Sequence, residues 1–234
     1  MEEYIDKYWK LRLESCKTAF ENNNFEVFLA DTPDDARDIV LKEILPKTRA
    51  KRVSWGDSLT LYSTGILDVM KQNPDLHVIE TFDDTVHREE IIERRRQAFL
   101  VDLFFTGTNA VTQSGMLVNL DMVGNRVGAI TFGPRYVVIV VGRNKIVSDL
   151  DEAMKRVKNI AAPINAIRHR IKTPCVKTAY CMDCKSPDRI CNTWTITEKS
   201  YPKGRIKIVL INRDLGYKKW ITSRRVDDFE RIQA

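Results

Sequence analysis

The feature that most constrains the fold is an alternation of helical and extended hydrophobic patterns along the first hundred residues. Residues 3–22 place apolar side chains at helical spacing, and residues 25–30 then have the pattern of a short strand. Strand patterns recur at 52–55 and 77–82, and a helical pattern follows each of them. Because strands that alternate with helices pair in parallel, this part predicts an open, mostly parallel α/β sheet with helices on both faces.

The middle of the chain has a different pattern, in which extended runs follow one another with short turns between them. Glycine, asparagine or proline separates these runs, and Gly124-Asn125 has the composition of a hairpin turn. We therefore expect a central run of hairpin-like strands, then a long helix from Asp149 to about Arg170. The extended runs lie at 103–107, 116–123, 126–132 and 136–142, and a last strand is predicted at 206–211.

The length of 234 residues is enough to bury a full core in one domain. We predict a single α/β domain over residues 1–234, in which 172–200 form a cysteine-rich insertion and 218–234 a polar tail. No run reaches the roughly 18 apolar residues that a membrane span requires. The acidic start, Met1–Tyr4, lacks the basic and apolar regions of a signal peptide. The expected location is cytoplasmic, with no membrane span.

Charge is distributed unevenly along the chain. Residues 165–234 contain 16 Lys and Arg against 7 Asp and Glu, a net charge of +9, whereas the other residues have 22 against 25, a net charge of −3. A basic final third can meet phosphates, a nucleic acid or an acidic partner protein, or it can be solvated surface. Aromatic residues do not interleave with the basic ones, and there is no groove-reading helix motif. Nucleic acid is therefore the less favoured partner.

The turn Gly56-Asp57-Ser58 stands where a predicted strand ends and a helix begins. Backbone N–H groups at such a turn can hold an anion, and a glycine lets the ligand approach closely. Alternatively, the side chain of Asp57 or Ser58 caps the helix. The local sequence favours the cap over the anion site.

A second group of small and polar residues begins at the end of the strand predicted at 103–107. Such residues between apolar strands are typical of a site-forming loop, although Gly, Asn and Ser also serve tight turns. The number of side-chain amides and hydroxyls favours a ligand site. The residues are Thr106, Gly107, Asn109, Gln113, Ser114 and Gly115, with Asn119, Asp121, Asn125 and Arg126 after them.

Four segments carry a family resemblance. They are W-G-D-S (55–58), T-G-T-N-A-V-T-Q-S-G-M-L-V-N-L-D-M-V-G-N-R-V (106–127), F-G-P-R-Y-V-V-I-V-V-G (132–142) and I-N-R-D-L-G-Y (211–217). In this order they resemble the lactate-utilisation (LUD-domain) family. That family is similar to the superfamily of ribose-5-phosphate isomerases, glucosamine-6-phosphate deaminases and CoA transferases. The resemblance implies an open α/β sheet with a site at the carboxyl ends of the strands.

The resemblance also implies which residues line the pocket. Gly56, Asp57 and Ser58 would form one side of it. The other side would consist of Thr106, Gly107, Asn109, Gln113, Ser114 and Gly115, and we add Asn125 and Arg126 to the predicted ligand-binding set.

One position departs from the family pattern. Many relatives have a glutamate before the Ser/Thr-Gly pair, and CoA transferases use a glutamate nucleophile on this fold, but this chain has Gln113. An amide can neither form an acyl intermediate nor act as a base near neutral pH, so this transferase chemistry is not expected. A stand-alone enzyme acting on a sugar-phosphate or acyl-CoA-like substrate would use Asp57 or Asp121 as its acid or base.

Cys175, Cys181, Cys184 and Cys191 form a C-x5-C-x2-C-x6-C pattern. Clustered thiols in a cytosolic chain more often bind metal than form disulfides. A C-x2-C turn places two thiolates on one ion or cluster, and the flanking cysteines can complete a four-sulfur shell. An iron–sulfur cluster, zinc and free thiols are the three alternatives, and family context favours the cluster over zinc.

Other polar residues have simpler explanations. His77, His87 and His169 are isolated from one another, and we expect surface or packing roles for them. Arg94–Arg96 follow three glutamates on a predicted helix, so i,i+4 ion pairs account for most of their charge. Cys16 lies on the apolar face of the first helix and is expected in the core.

The resemblance therefore implies a lactate-utilisation-type protein, a subunit or accessory of a lactate-oxidation complex with redox partner subunits. Its cleft would bind a small anionic ligand, and its cysteine loop would hold metal. The two rival interpretations are the stand-alone enzyme and a zinc-stabilised nucleic-acid-binding module that uses the basic final third.

Overall fold

The computed structural model describes residues 2–216, which form two β-sheets and the helices that cover them. The polar tail predicted at 218–234 lies outside the described residues. No helix between residues 2 and 216 combines the length and the apolar character that crossing a membrane requires.

The strands are β1 (Glu26–Ala30), β2 (Arg52–Trp55), β3 (His77–Ile79), β4 (Leu103–Gly107), β5 (Ala110–Thr112), β6 (Leu117–Asp121), β7 (Tyr136–Gly142), β8 (Ile146–Val147), β9 (Thr193–Thr197) and β10 (Ile206–Ile211). The α-helices are α1 (Glu2–Asn22), α2 (Pro33–Ile39), α3 (Leu45–Thr48), α4 (Leu59–Tyr62), α5 (Ile66–Gln72), α6 (Arg88–Gln97), α7 (Asn125–Thr131), α8 (Leu150–Arg156), α9 (Ala162–Arg168) and α10 (Cys175–Thr178). Val40–Ile44 and Val157–Ala161 are π-helical, and Ala98–Leu100 and Arg143–Lys145 are 3-10 turns.

Six strands form the larger sheet in the order β1-β10-β7-β4-β2-β3, and every pair of neighbours is parallel. The central strands β7 and β10 are nearly continuous runs of valine, isoleucine and leucine, and their residues are buried on both faces. Parallel strands covered by helices on both sides have this composition. The predicted open, mostly parallel sheet is confirmed.

Alternate residues of β7 contribute to two halves of the hydrophobic core. Ile139 packs in the same cluster as Cys16 and Phe20 of α1, which confirms the expected core position of the cysteine. Val138 packs in the cluster that contains Leu61 of α4. Because successive residues of a strand point to opposite faces, one strand supports helices on both sides of the sheet.

Four strands form the second sheet in the order β8-β5-β6-β9. The β5–β6 and β6–β9 pairs are antiparallel, and β5 pairs with β8 in parallel. Strand β9 lies inside the insertion predicted at 172–200, where no strand was expected. This insertion therefore contributes an edge strand to a sheet.

The strand predicted at 126–132 is wrong, because this segment is helix α7. Gly124 adopts a positive φ of 95° and begins the helix, where a hairpin turn was expected. The Asp121 carboxylate accepts a hydrogen bond from the N–H of Val127 at 3.3 Å. This bond satisfies a free donor of the first helical turn, which favours the helix over a strand.

The long helix predicted from Asp149 is confirmed, with a π turn in its middle. Asp149 accepts a hydrogen bond from the N–H of Glu152 at 2.9 Å and so caps α8. The π turn Val157–Ala161 joins α8 to α9, and Pro163 lies in the first turn of α9. A proline has no N–H to donate and crowds the carbonyl four residues earlier, and the wider π turn gives it room.

The order of the strands in the larger sheet reverses between β2 and β4. The chain passes from β2 to β3 at one edge, and β4 then lies on the other side of β2 and starts a run through β7 and β10. In open α/β sheets, ligands bind outside the carboxyl ends of the strands at such a switch point. A ligand site is therefore expected at the carboxyl ends of β2 and β4.

Candidate functional site

Two predicted ligand-binding segments meet at this switch point, which we call the strand-end crevice (residues 56–58 after β2 and 107–109 at the end of β4). The N–H of Gly56 donates to the carbonyl of Phe105 at 2.9 Å, which holds the first segment beside β4. Ser58 Oγ occupies the space that a side chain at position 107 would need, since a Cβ there would lie 2.3 Å from it. The structure thus brings together Gly56, Asp57, Ser58, Thr106, Gly107 and Asn109.

Ser58 caps helix α4. Its Oγ accepts a hydrogen bond from the N–H of Leu61 at 3.2 Å. The cap that the local sequence favoured is therefore confirmed at this residue. Helix α4 has only four residues, so its dipole contributes little to holding an anion.

The carboxylate of Asp57 faces the end of α9. Arg168 forms an ion pair with it, and His169 Nε2 lies 3.4 Å from the nearer oxygen. Burial opposes ionisation of Asp57, but the hydrogen bond to His169 and the charge of Arg168 outweigh it and hold its pKa well below its usual range. A carboxylate so firmly ionised is a weak base, so this geometry does not suit the predicted acid–base role. His169, expected at the surface or in packing, contacts this carboxylate.

Arg126 is the centre of a largely buried hydrogen-bond network. Its guanidinium donates to Asp121 at 3.0 Å, Asn119 at 3.0 Å and Asn109 at 2.9 Å, and its side chain is 12% exposed. Arg126, Asn109 and Asp121 were predicted to bind ligand or to catalyse, and in the structure they hold the end of β4 against β6. Asn125 begins α7 beside them. The Nδ2 of Asn119 remains a buried donor without a partner among the described residues.

The second half of the polar motif lies against α1. Gln113 Nε2 donates to the carbonyl of Arg12 at 3.0 Å, and the carbonyl of Ser114 accepts a hydrogen bond from Asn23 at 3.1 Å. Gly115 has a positive φ of 83° and a Cβ there would lie 2.7 Å from the α1 backbone, so only glycine fits. These contacts hold the three residues against α1 and against Asn23, which follows it. Within residues 2–216, they form no hydrogen bond with the residues of the strand-end crevice.

Lys145 belongs to the crevice, and the sequence analysis did not single it out. It follows β7 in a 3-10 turn, and its Nζ donates to the carbonyl of Thr108 at 2.9 Å and lies 3.6 Å from the position of a Cβ on Gly107. Burial, followed by the charges of Arg156 and Arg126, lowers its pKa to about 7. The available signal was a basic residue just beyond the end of the longest buried strand.

Arg95 of α6 is the second crevice residue that sequence reasoning missed. Arg94 and Arg96 pair with acidic neighbours, as the helical spacing predicted. Arg95 instead stacks over the ring of Phe82 at 5.4 Å, and its buried Nε has no hydrogen-bond partner among the described residues. Burial lowers the pKa of Arg95, while the nearby charge of Asp57 acts in the opposite direction.

The four clustered cysteines line one small cavity beside helix α9. Cys175 begins α10, Cys181 and Cys184 lie in the connection that follows, and Cys191 stands just before β9. All four are free, half-buried thiols. The structure thus brings the predicted metal-binding set to one place.

Comparison with known proteins gives a family and similar solved structures. A family model described as LUD domain matches residues 13–211. The crystal structure of a DUF162 family protein from Deinococcus radiodurans is similar, with a TM-score of 0.49 and 13% sequence identity, over 87% of this chain and 98% of that chain. No curated protein matches this chain. The family match includes both the strand-end crevice and the four cysteines.

Proposed function

The chain belongs to the LUD domain family, and on this basis we propose that it acts in lactate utilisation by binding a small anionic ligand in the strand-end crevice. In this role it is a subunit or accessory of a lactate-oxidation complex, with redox subunits as partners. The observation that supports ligand binding is an excess of positive charge around the crevice.

The carboxylates at the crevice already have cationic partners. Asp57 is paired with Arg168, and Asp121 is paired with Arg126. Within residues 2–216, neither Arg95 nor Lys145 forms an ion pair with a carboxylate, and Lys145 Nζ donates its hydrogen bond to a backbone carbonyl. Cations held away from water without counter-ions are unfavourable, so an anion from solution would stabilise this arrangement.

The hydrogen-bonding groups without partners favour the same kind of ligand. The buried Nε of Arg95 and Nδ2 of Asn119 are donors that lack acceptors among the described residues. Lys145 Nζ has three donors and uses one of them on Thr108. A carboxylate or phosphate is acceptor-rich, so it complements this set. Family membership favours lactate or its oxidised product, pyruvate, as the carboxylate.

Calorimetric titration with lactate, pyruvate and inorganic phosphate tests this proposal. We expect one of the three anions to bind, and Arg95→Met to weaken binding at least tenfold because an unpaired, half-buried guanidinium is lost. Arg96→Met is the matched control, since Arg96 is the neighbouring, 70% exposed arginine, and it should bind as the wild type does. Absence of binding for all three anions, or equal affinity in the two variants, would contradict the proposal.

Lys145 supports a second candidate function, catalysis by the chain alone. A buried amine with a pKa of about 7 can act as a base or nucleophile at neutral pH, whereas Asp57 is held ionised. If the isolated chain turns over a hydroxy acid or a sugar phosphate, Lys145→Met should abolish this turnover. Asp121→Asn should lower turnover only as far as it lowers the fraction of folded protein. An isolated chain without turnover leaves binding as the function.

A further inference from the structure

The four clustered cysteines, which lie within seventeen consecutive residues, line one cavity. Cys175 and Cys191 stand at the two ends of this loop, and both line the same cavity as the C-x2-C pair. The opposite wall is helix α9 and the π turn before it, represented by Ala162, Pro163 and Lys158. The fold therefore gathers four cysteines around one cavity beside a folded helix.

The backbone around these thiols is fixed by one arginine. Arg189 donates to the carbonyl of Cys184 at 2.7 Å and to the carbonyl of Cys191 at 2.9 Å. Its third contact is the carboxylate of Asp183 at 3.1 Å. The guanidinium therefore holds the second half of the loop in a compact turn around the cavity.

A backbone N–H also points at one of the sulfurs. The N–H of Asp183 donates to Cys181 Sγ at 3.4 Å, and Asp183 adopts a positive φ of 47° to make this turn. This hydrogen bond fixes the backbone of the turn against the Cys181 sulfur. It forms inside the C-x2-C pair, where two thiolates would share one ion.

Size and charge select among the ligands that four thiols can hold. The cavity volume is ≈ 20 Å³, room for about one water-sized body. A single ion fits this space. A divalent ion with four thiolates carries a net negative charge, and the side chains of Lys158 and Arg189 line the same cavity.

We propose that Cys175, Cys181, Cys184 and Cys191 bind one Zn²⁺ ion in a closed tetrathiolate site that docks the loop 172–192 against α9. Within residues 2–216, no three Cys, His, Asp or Glu side chains stand close enough to hold a metal ion as they are. Binding therefore draws the thiols inward by side-chain rotation and releases their protons to solvent. With four protein ligands no position stays open, so the ion stabilises the loop and takes no part in turnover.

Metal analysis of the whole chain, purified without oxygen and with zinc supplied, tests the proposal. We expect about one zinc per chain, as in closed structural sites, and loss of the ion in Cys184→Ser. Cys16→Ala is the matched control, because Cys16 is a free but fully buried core thiol, and it should keep its zinc. Replacement by Co²⁺ should give the absorption bands of a tetrahedral cobalt thiolate.

Three results would overturn the proposal. They are iron with acid-labile sulfide in place of zinc, four titratable thiols without metal, and full zinc retention in Cys184→Ser. If the Cys184→Ser chain does not fold, titration of the wild-type chain with a mercurial reagent decides the question. Release of zinc in step with thiol modification supports the site, and absence of releasable zinc refutes it.

Discussion

The guanidinium of Arg168 is ion-paired with the carboxylate of Asp57, which joins the last turn of α9 to the turn after β2. Both side chains are 25% exposed, so the pair is shielded from water much more than an ion pair on a helix surface. Removing one partner of a shielded pair leaves the other charge uncompensated, and this is costlier than losing an exposed pair. The pair therefore fixes the geometry of the crevice and contributes to stability.

Replacing Asp57 by asparagine should lower the free energy of unfolding by about 1–3 kcal/mol, since Arg168 loses its counter-ion in a partly solvated position. Urea denaturation at pH 7 measures the change. Asp38→Asn is the control, because Asp38 pairs with Lys42 on an exposed helix surface, and its effect should be within about 0.5 kcal/mol. Equal effects of the two substitutions would show that the pair does not stabilise the fold.

The Asp57–Arg168 pair should also make the free energy of unfolding depend on pH in the acid range. The pKa of Asp57 is lowered from 3.8 in the folded chain, so the unfolded chain binds the proton more readily. Its contribution is present above about pH 4 and is lost as pH falls further. Between pH 5 and pH 3, the free energy of unfolding should fall more steeply for the wild type than for Asp57→Asn. Urea denaturation at several pH values measures this, and an equal fall in the two proteins would contradict the expectation.

Lys145 should give a pH dependence of the same sign on the alkaline side. Its pKa is lowered from 10.5 to about 7 on folding, so between these values the unfolded chain binds more protons and stability rises with pH. Above pH 7, the free energy of unfolding of the wild type should rise relative to that of Lys145→Met by at most about 1.4 kcal/mol per pH unit. Urea denaturation at pH 7 and pH 9 measures this, and a difference that does not change with pH would refute it.

Anion binding should be coupled to proton uptake at Lys145. A bound anion favours the charged ammonium and so raises the pKa of Lys145 from about 7. At pH 8, part of the protein population should then take up a proton when the ligand binds. Titrations in two buffers with different ionisation enthalpies should give different heats for the wild type. Lys145→Met should give the same heat in both buffers, and a wild type that does so would contradict the coupling.

Gly107 and Ser58 should show strong energetic coupling. A Cβ on Gly107 would lie 2.3 Å from Ser58 Oγ, so Gly107→Ala should destabilise the fold by about 1–3 kcal/mol through overpacking. Ser58→Ala removes that oxygen and should recover part of the loss when the two changes are combined. A double-mutant cycle by urea denaturation measures the coupling. Additive effects would mean that the loop moves to admit the methyl group.

The parallel sheet could be predicted because strands such as β7 and β10 are buried on both faces and consist of apolar runs. The segment 126–132 could not be assigned from its own residues. Its apolar residues Val127, Ala129 and Ile130 fit a short strand as well as a short helix. Asp121 decides between them by bonding the helix start and Arg126, a tertiary effect that no local pattern contains.

The position of the candidate site could be predicted from the sequence, but the roles of its cationic residues could not. Glycine turns marked the ends of β2 and β4, since a close approach of two backbones needs residues without side chains. The roles of Arg95 and Lys145 depend on which cations already neutralise the nearby carboxylates. The partner of Asp57 is Arg168, which is 111 positions away in sequence, and such pairing becomes visible only in the folded chain.

The π turn at Val157–Ala161 corrects the rotational phase of the helix that contains it. In an unbroken α-helix, the twelve steps from Arg156 to Arg168 would leave these side chains about 120° apart around the axis. A π turn takes up about one extra residue, which leaves about 20°. Arg156 donates to the carbonyl of Asn109 and Arg168 pairs with Asp57. One inserted residue thus lets a single helix present both arginines to the same edge of the sheet.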